Sequence, residues 1–193
     1  MNYKSVLTSL ICLSLSLLTQ AATVLPMYLD EIVADAAVAF EGVCKDTRTE
    51  LDAQTGLVAT YTTFDIIDLL KGSAKATHTI KQLGGNTGTV AYKVGGTPSF
   101  VVGTRYVVFL YGASSAGFSS PVGLTQGRFM IRNGPGGDEL SNGRDFKEML
   151  RPYPDRLLPP GAKKAVQQAT GELGHLDLAE FKQIVRQPGS TAK

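Results

Sequence analysis

The sequence predicts a mainly β fold, α+β overall, in which a small closed barrel is followed by a helical tail. Runs rich in β-branched and aromatic residues fill the chain as far as Arg132, and helix-like runs broken by proline and glycine fill the remainder. The early runs make five or six strands without charged centres, and strands of that kind close best into a barrel, which removes its own edges.

The first residues read as an address. Lys4 supplies a positive n-region, Val6 to Leu18 is apolar and uncharged, and Thr19-Gln20-Ala21 ends in a small residue suited to signal-peptidase cleavage. The expectation is a leader over 1–21, with Ala22 as the mature terminus and a secreted or periplasmic location. The apolar run is too short to span a bilayer comfortably, and no other stretch reads as a membrane span.

Next, Leu29, Ile32 and Val33 give a short helix after Pro26. Ala36 to Cys44 alternates as a strand, and the polar Thr47 to Gly56 reads as a hairpin connection. A long strand follows from Leu57 to Leu70 and stops at Lys71-Gly72-Ser73. Thr77 to Leu83 is another strand, with Thr77, Thr79 and Lys81 on one face and His78, Ile80 and Gln82 on the other. Glycines then cluster from Gly84 to Gly103, the pattern of a long connection with a short strand inside it. Arg105 to Tyr111 is the most apolar run of the mature chain, as expected of a strand buried on both faces. Gly117 to Val122 and Gly127 to Arg132 complete a meander. The expected organisation is a barrel domain over 22–133 and a tail over 134–193, with helices at Arg144–Arg151, Ala162–Thr170 and Leu178–Val185, the last capped by Asp177.

These features together resemble the netrin-like branch of the OB fold, the fold of tissue inhibitors of metalloproteinases and of some exported bacterial proteins. The residues that carry the resemblance are Ala22 to Pro26 ahead of a short helix, the entry Ala34 to Gly42, the ending Leu69-Leu70-Lys71-Gly72, and the Gly-led strand Gly103 to Leu110. It spans Ala22 to Ile131 and implies a Greek-key, OB-like barrel. It also implies a protein partner outside the cytoplasm, with a secreted metalloprotease as the sharpest case. In the animal inhibitors a terminal Cys chelates the protease zinc through its α-amine and carbonyl. Here Ala22 stands at that place, and only those backbone groups remain to serve.

Chemistry-bearing motifs are sparse. The chain holds 19 basic and 17 acidic residues. That near-balance argues against a nucleic-acid partner, which selects a basic stripe. His78 and His175 lack partners at metal-ligand spacing, so neither a metal site nor a cofactor is expected. Cys44 is the only cysteine past the leader. It reads either as a small buried hydrophobe or as a nucleophile paired with His78. No Gly-x-Ser-x-Gly elbow accompanies Ser114, Ser115, Ser119 and Ser120. Gly84 to Thr89 lacks the Gly-Lys-Ser/Thr ending of a phosphate loop and reads as a mobile loop. Tyr61, Tyr92, Phe100, Tyr106 and Tyr111 read either as core or as a ligand face.

The expected function is therefore an exported, non-enzymatic binding module, either a metalloprotease inhibitor or an envelope interaction protein. Its candidate contact residues are Ala22, Thr23, Gly85, Asn86, Thr87, Gly96 and Thr97. The alternative is a small periplasmic hydrolase using Cys44 or a loop serine.

Overall fold

The computed structural model describes residues 24–168 and 175–187; the expected leader, Ala22 and Thr23 lie outside the described residues. The elements are α1 (Leu29–Asp35), β1 (Val38–Leu51), β2 (Val58–Lys71), β3 (Thr77–Leu83), β4 (Gly85–Asn86), β5 (Ala91–Tyr92), β6 (Arg105–Leu110), β7 (Arg128–Gly134), β8 (Gly137–Ser141), α2 (Phe146–Leu150), α3 (Pro160–Gln168), β9 (Leu176–Asp177) and α4 (Leu178–Arg186).

Seven strands form one antiparallel sheet in the order β3-β2-β1-β6-β7-β8-β9, and β4 and β5 form a separate two-stranded ribbon. The expected closed Greek-key, OB-like barrel is therefore not formed. Its closure would have fallen where Gly117 to Val122 was read as a strand. That segment is instead coil, touching β3 through Ser119 N–H to Lys81 O (2.9 Å) and β6 through Val122 N–H to Phe109 O (2.8 Å). Pro121, opposite Leu110 in an isolated bridge, has no N–H with which to extend a ladder. The sheet consequently keeps two ends. The edge of β3 is partly covered by this coil, and the other end, β9, is only two residues long.

β1 curls the sheet. Its first half pairs with β6 and its whole length with β2, with register shifts at Ala39/Phe40, Glu41/Gly42 and Cys44/Asp46. Such irregularities bend a strand and sharpen its twist. Gly42 is required there, because a Cβ at that position would lie 2.9 Å from Asp65 O. Strand β1 also runs on to Leu51, through residues read from sequence as a connection. Lys45 to Glu50 are mostly exposed on the paired arm with β2, so they carry no apolar signal.

The bent sheet buries two clusters on its two faces. Phe40, Cys44, Phe64, Ile80, Phe100, Tyr106, Val108 and Leu110 fill one. Phe109, Phe129 and Ile131 face the other, where α1, α2, α3 and α4 cover them with Leu29, Ile32, Phe146, Met149, Ala162, Phe181 and Ile184. The segment expected as a purely helical tail thus contributes β8 and β9 to the sheet and helices to the same core. Asp177 caps α4 as expected, accepting from Glu180 N–H at 2.9 Å. Lys71, read from sequence as part of a turn, reaches Val33 O (2.5 Å) and Ala34 O (3.0 Å) at the C-terminal end of α1, where a cation suits exposed carbonyls.

A buried charge cluster ties α4 to the sheet. Glu41 is 1% exposed and accepts from Arg105 Nη2 at 2.5 Å and Nε at 3.2 Å, and it also pairs with Lys182. Lys182 and Arg186 pair with Asp68 at 2.8 and 2.5 Å, while Arg105 continues to Asp138 at 2.6 Å. Burial alone would raise the Asp68 carboxyl, but Lys182 and Arg186 outweigh it and hold the group below its ordinary range. Among the described residues, no helix is long and apolar enough to cross a membrane.

Candidate functional site

Between β3 and β6 the chain crosses the sheet as a strap of residues 84–103. Its start is fixed by Gly84 N–H to Val58 O (2.8 Å) and by the Thr60 hydroxyl donating to Gly84 O (2.7 Å). The β4–β5 ribbon then rests on the Thr49–Thr60 pair, whose hydroxyls meet at 3.0 Å. Gly85 has φ +138°, and a Cβ there would lie 2.4 Å from Thr60 Oγ1. Only glycine allows this close approach. The far end is fixed by Arg128 to Ser99 O (2.7 Å), by Val101 N–H to the Tyr106 hydroxyl (3.0 Å) and by Gly103 N–H to Cys44 O (2.7 Å). Phe100 plugs the aromatic cluster, edge-on to Phe64 and Tyr106 at centroid distances of 5.0 and 5.2 Å.

Pinned at both ends, the strap arches over the sheet and leaves a cavity of about 520 Å³. Its floor is Thr47, Thr60, Thr62 and Gln82, and its walls include Leu83, Tyr92, Val94, Pro98 and Phe100. The floor follows from strand register. Thr47 faces Thr62 across β1 and β2, and Thr60 faces Gln82 across β2 and β3. Thr62 and Gln82 are almost fully buried. Gln82 spends one amide hydrogen on Pro98 O at 3.4 Å.

The contact residues expected from sequence divide three ways. Gly85, Asn86 and Thr97 line this cavity. Thr87 and Gly96 do not line it. Thr87 closes the ribbon turn with N–H to Val90 O at 2.9 Å, and a Cβ on Gly96 would lie 2.7 Å from Leu124 Cδ1. Ala22 and Thr23 lie outside the described residues. Gly85, Asn86 and Thr97, from the two ends of this glycine-rich connection, thus line one cavity. What sequence reasoning missed is the opposing side, Thr47, Thr60, Thr62 and Gln82, and on the strap itself Lys93. The available signal was threonine at alternate positions in two strands, Thr47/Thr49 and Thr60/Thr62, which places hydroxyls together on one face.

The aromatic set also divides. Phe100 and Tyr106 are core, Tyr92 and Tyr111 are exposed, and Tyr61 lies beneath Arg48 at 4.7 Å.

A second cavity of about 290 Å³ lies at the edge of β3 and shares Gln82, Leu83, Val94 and Thr97 with the first. Ser114, Ser119 and Ser120 line it with Tyr111 and Phe118. The Ser119 hydroxyl donates to Tyr111 O (2.9 Å), and the Ser114 oxygen accepts from Phe118 N–H (3.1 Å). Both hydroxyls are thereby committed to turn geometry. His78 lines neither cavity; it packs against Phe40 at a centroid distance of 5.5 Å, and burial pulls its imidazole below the ordinary range. Cys44 sits opposite Phe64, which in turn sits opposite His78, so a phenyl ring separates thiol from imidazole. The thiol is 0% exposed, and its pKa is raised by burial and by the nearby Asp46 charge. A buried, raised thiol is inert. A thiol reagent should therefore leave Cys44 unmodified in the native protein and label it in denaturant; rapid native labelling of Cys44 would contradict this burial.

Beside the second cavity Lys81 binds three segments together. It pairs with Asp52 at 2.7 Å, donates to Ala116 O at 2.7 Å, and lies 4.4 Å from the Phe118 ring centroid. Asp52 also accepts from the Tyr61 hydroxyl (2.6 Å) and from Thr55 N–H (2.9 Å) at the β1–β2 turn. Lys81, then Tyr61 and Thr55, hold the Asp52 carboxyl well below its ordinary 3.8. In acid the unfolded chain therefore binds the proton that the folded chain refuses. The stability from this group is complete above the unfolded value and is lost as pH falls through the folded one. Asp52→Asn should lower Tm at neutral pH and flatten its decline below about pH 4. Parallel Tm–pH profiles for the two proteins would contradict this role.

Among the described residues, no group of three or more His, Cys, Asp or Glu side chains is placed to hold a metal ion. The sequence matches no protein-family model and no curated protein.

Proposed function

We propose that this chain is an exported, non-catalytic binding module that meets a protein partner outside the cytoplasm through the strap over residues 84–103. The observation that carries this reading is the side chains the strap presents. Val90, Tyr92, Val101 and Val102 are about half exposed, on a segment already bent away from the sheet by a cavity. Four of the eleven large apolar side chains exposed among the described residues lie on this one segment; grouped exposed apolar side chains mark interaction surfaces, and aromatic residues at such places act as anchors. Among the described residues, the cavity lining carries no His, Cys or carboxylate; its polar side chains are Thr, Ser, Gln, Asn, Tyr and Lys.

The test is a pull-down from native extracellular and periplasmic fractions with protein beginning at Ala22. Two further baits accompany it: Val90→Ser combined with Tyr92→Ser, and a chain extended by one residue before Ala22. A partner held by the parent and the extended bait but lost by the serine variant supports the strap. A partner lost only on extension, above all a zinc protease, would move the contact to Ala22 and Thr23. The strap reading would then be wrong.

A further inference from the structure

The cavity under the strap has a chemistry of its own, independent of any protein contact outside it. At about 520 Å³ it falls within the range of small-molecule sites. Its walls are largely hydrocarbon, from Leu83, Val94, Pro98, Phe100 and the Tyr92 ring. Its floor is polar yet uncharged, with the Thr47, Thr60 and Thr62 hydroxyls and the Gln82 carboxamide. One lining residue alone is charged, Lys93, on the exposed strap.

That distribution selects the guest. A charge placed deep inside would lose its hydration with no ionic partner, which is prohibitive. A cationic amphiphile finds no carboxylate anywhere on the lining. An apolar body, by contrast, gains by leaving water for the hydrocarbon walls. An anionic end near the strap meets the Lys93 ammonium in a charge-assisted hydrogen bond. With the Thr60 hydroxyl spent on Gly84 O, the Thr47 and Thr62 hydroxyls and the Gln82 carboxamide accommodate a hydroxyl or carbonyl along the body. We propose that this cavity binds a small amphipathic monocarboxylate, its apolar body between strap and sheet and its carboxylate on Lys93.

The experiment is isothermal titration of the mature protein with dodecanoate, dodecanol and dodecyltrimethylammonium, each below its aggregation concentration. Dodecanoate should bind one molecule per chain, and the alcohol and the cation at least about tenfold more weakly. Lys93→Gln, at an exposed side chain that leaves folding unchanged, should weaken dodecanoate about tenfold and leave dodecanol unaltered. Thr47→Trp should fill the cavity from a strand position and abolish binding. Equal affinity for acid, alcohol and cation would overturn the proposal. So would undiminished binding by a folded Thr47→Trp variant, or absence of dodecanoate binding to the parent.

Discussion

Phe129→Ala is expected to destabilise the fold by about 4 kcal/mol, the range for removing a fully buried aromatic ring. Phe129 is 0% exposed. Its ring centroid lies 4.8 Å from Phe181 of α4, 5.8 Å from Phe109 of β6 and 6.2 Å from Phe146 of α2. The ring is where the sheet and the C-terminal helices share a core, so its loss leaves a cavity that neither side fills by small shifts. Equilibrium unfolding in denaturant measures the effect as a single cooperative transition. Ile67→Ala, at a half-exposed side chain on β2, is the control and should change stability by no more than about 0.5 kcal/mol. A loss below about 1 kcal/mol at Phe129, or a biphasic transition, would mean that the helices fold apart from the sheet.

Glu41→Ala is expected to cost about 3 kcal/mol, the lower end for breaking a buried ion pair. The loss of attraction is not its main cause. Arg105 and Lys182 would remain near a dry position with their carboxylate gone, although each keeps a second partner, Asp138 and Asp68 respectively. Those second partners, together with the one-third exposure of Arg105, hold the effect below the full range. The double substitution Glu41→Leu with Lys182→Met should recover part of the loss, since it removes the Lys182 charge while Arg105 keeps only Asp138. A double-mutant cycle without coupling between the two positions would contradict this account of how α4 is held.

Legibility from sequence followed the local chemistry. The strand Thr77–Leu83 and the Asp177 cap were readable because alternation and a side-chain acceptor act within a few residues. The limits of β1 were not. Lys45 to Glu50 lie on an arm exposed to water, so their polarity imitates a loop. Barrel closure was misread for the opposite reason. Gly117 to Val122 has the composition of a short strand, but whether it pairs depends on partners far away, and Pro121 removes a donor at the critical point. The site was half visible. Glycine announces a strap, because only glycine permits the Gly85 conformation and its contact with Thr60. In the threonine floor opposite, Thr60 and Thr62 were read as ordinary strand composition and Thr47 as part of a connection, since hydroxyls facing inward look in sequence like hydroxyls facing out. Lys93 carries no signal until the fold places it on the rim.

The central claim is that the strap is the surface this protein presents to its partner. Photo-crosslinking in the native extracellular fraction tests it most directly, with a benzophenone side chain at Tyr92 in one protein and at Ile67 in another. Both positions are about half exposed, so general stickiness acts on them alike. A discrete crosslinked species from Tyr92 with none from Ile67 is the predicted result. The same species from both positions, or from Ile67 alone, would contradict it.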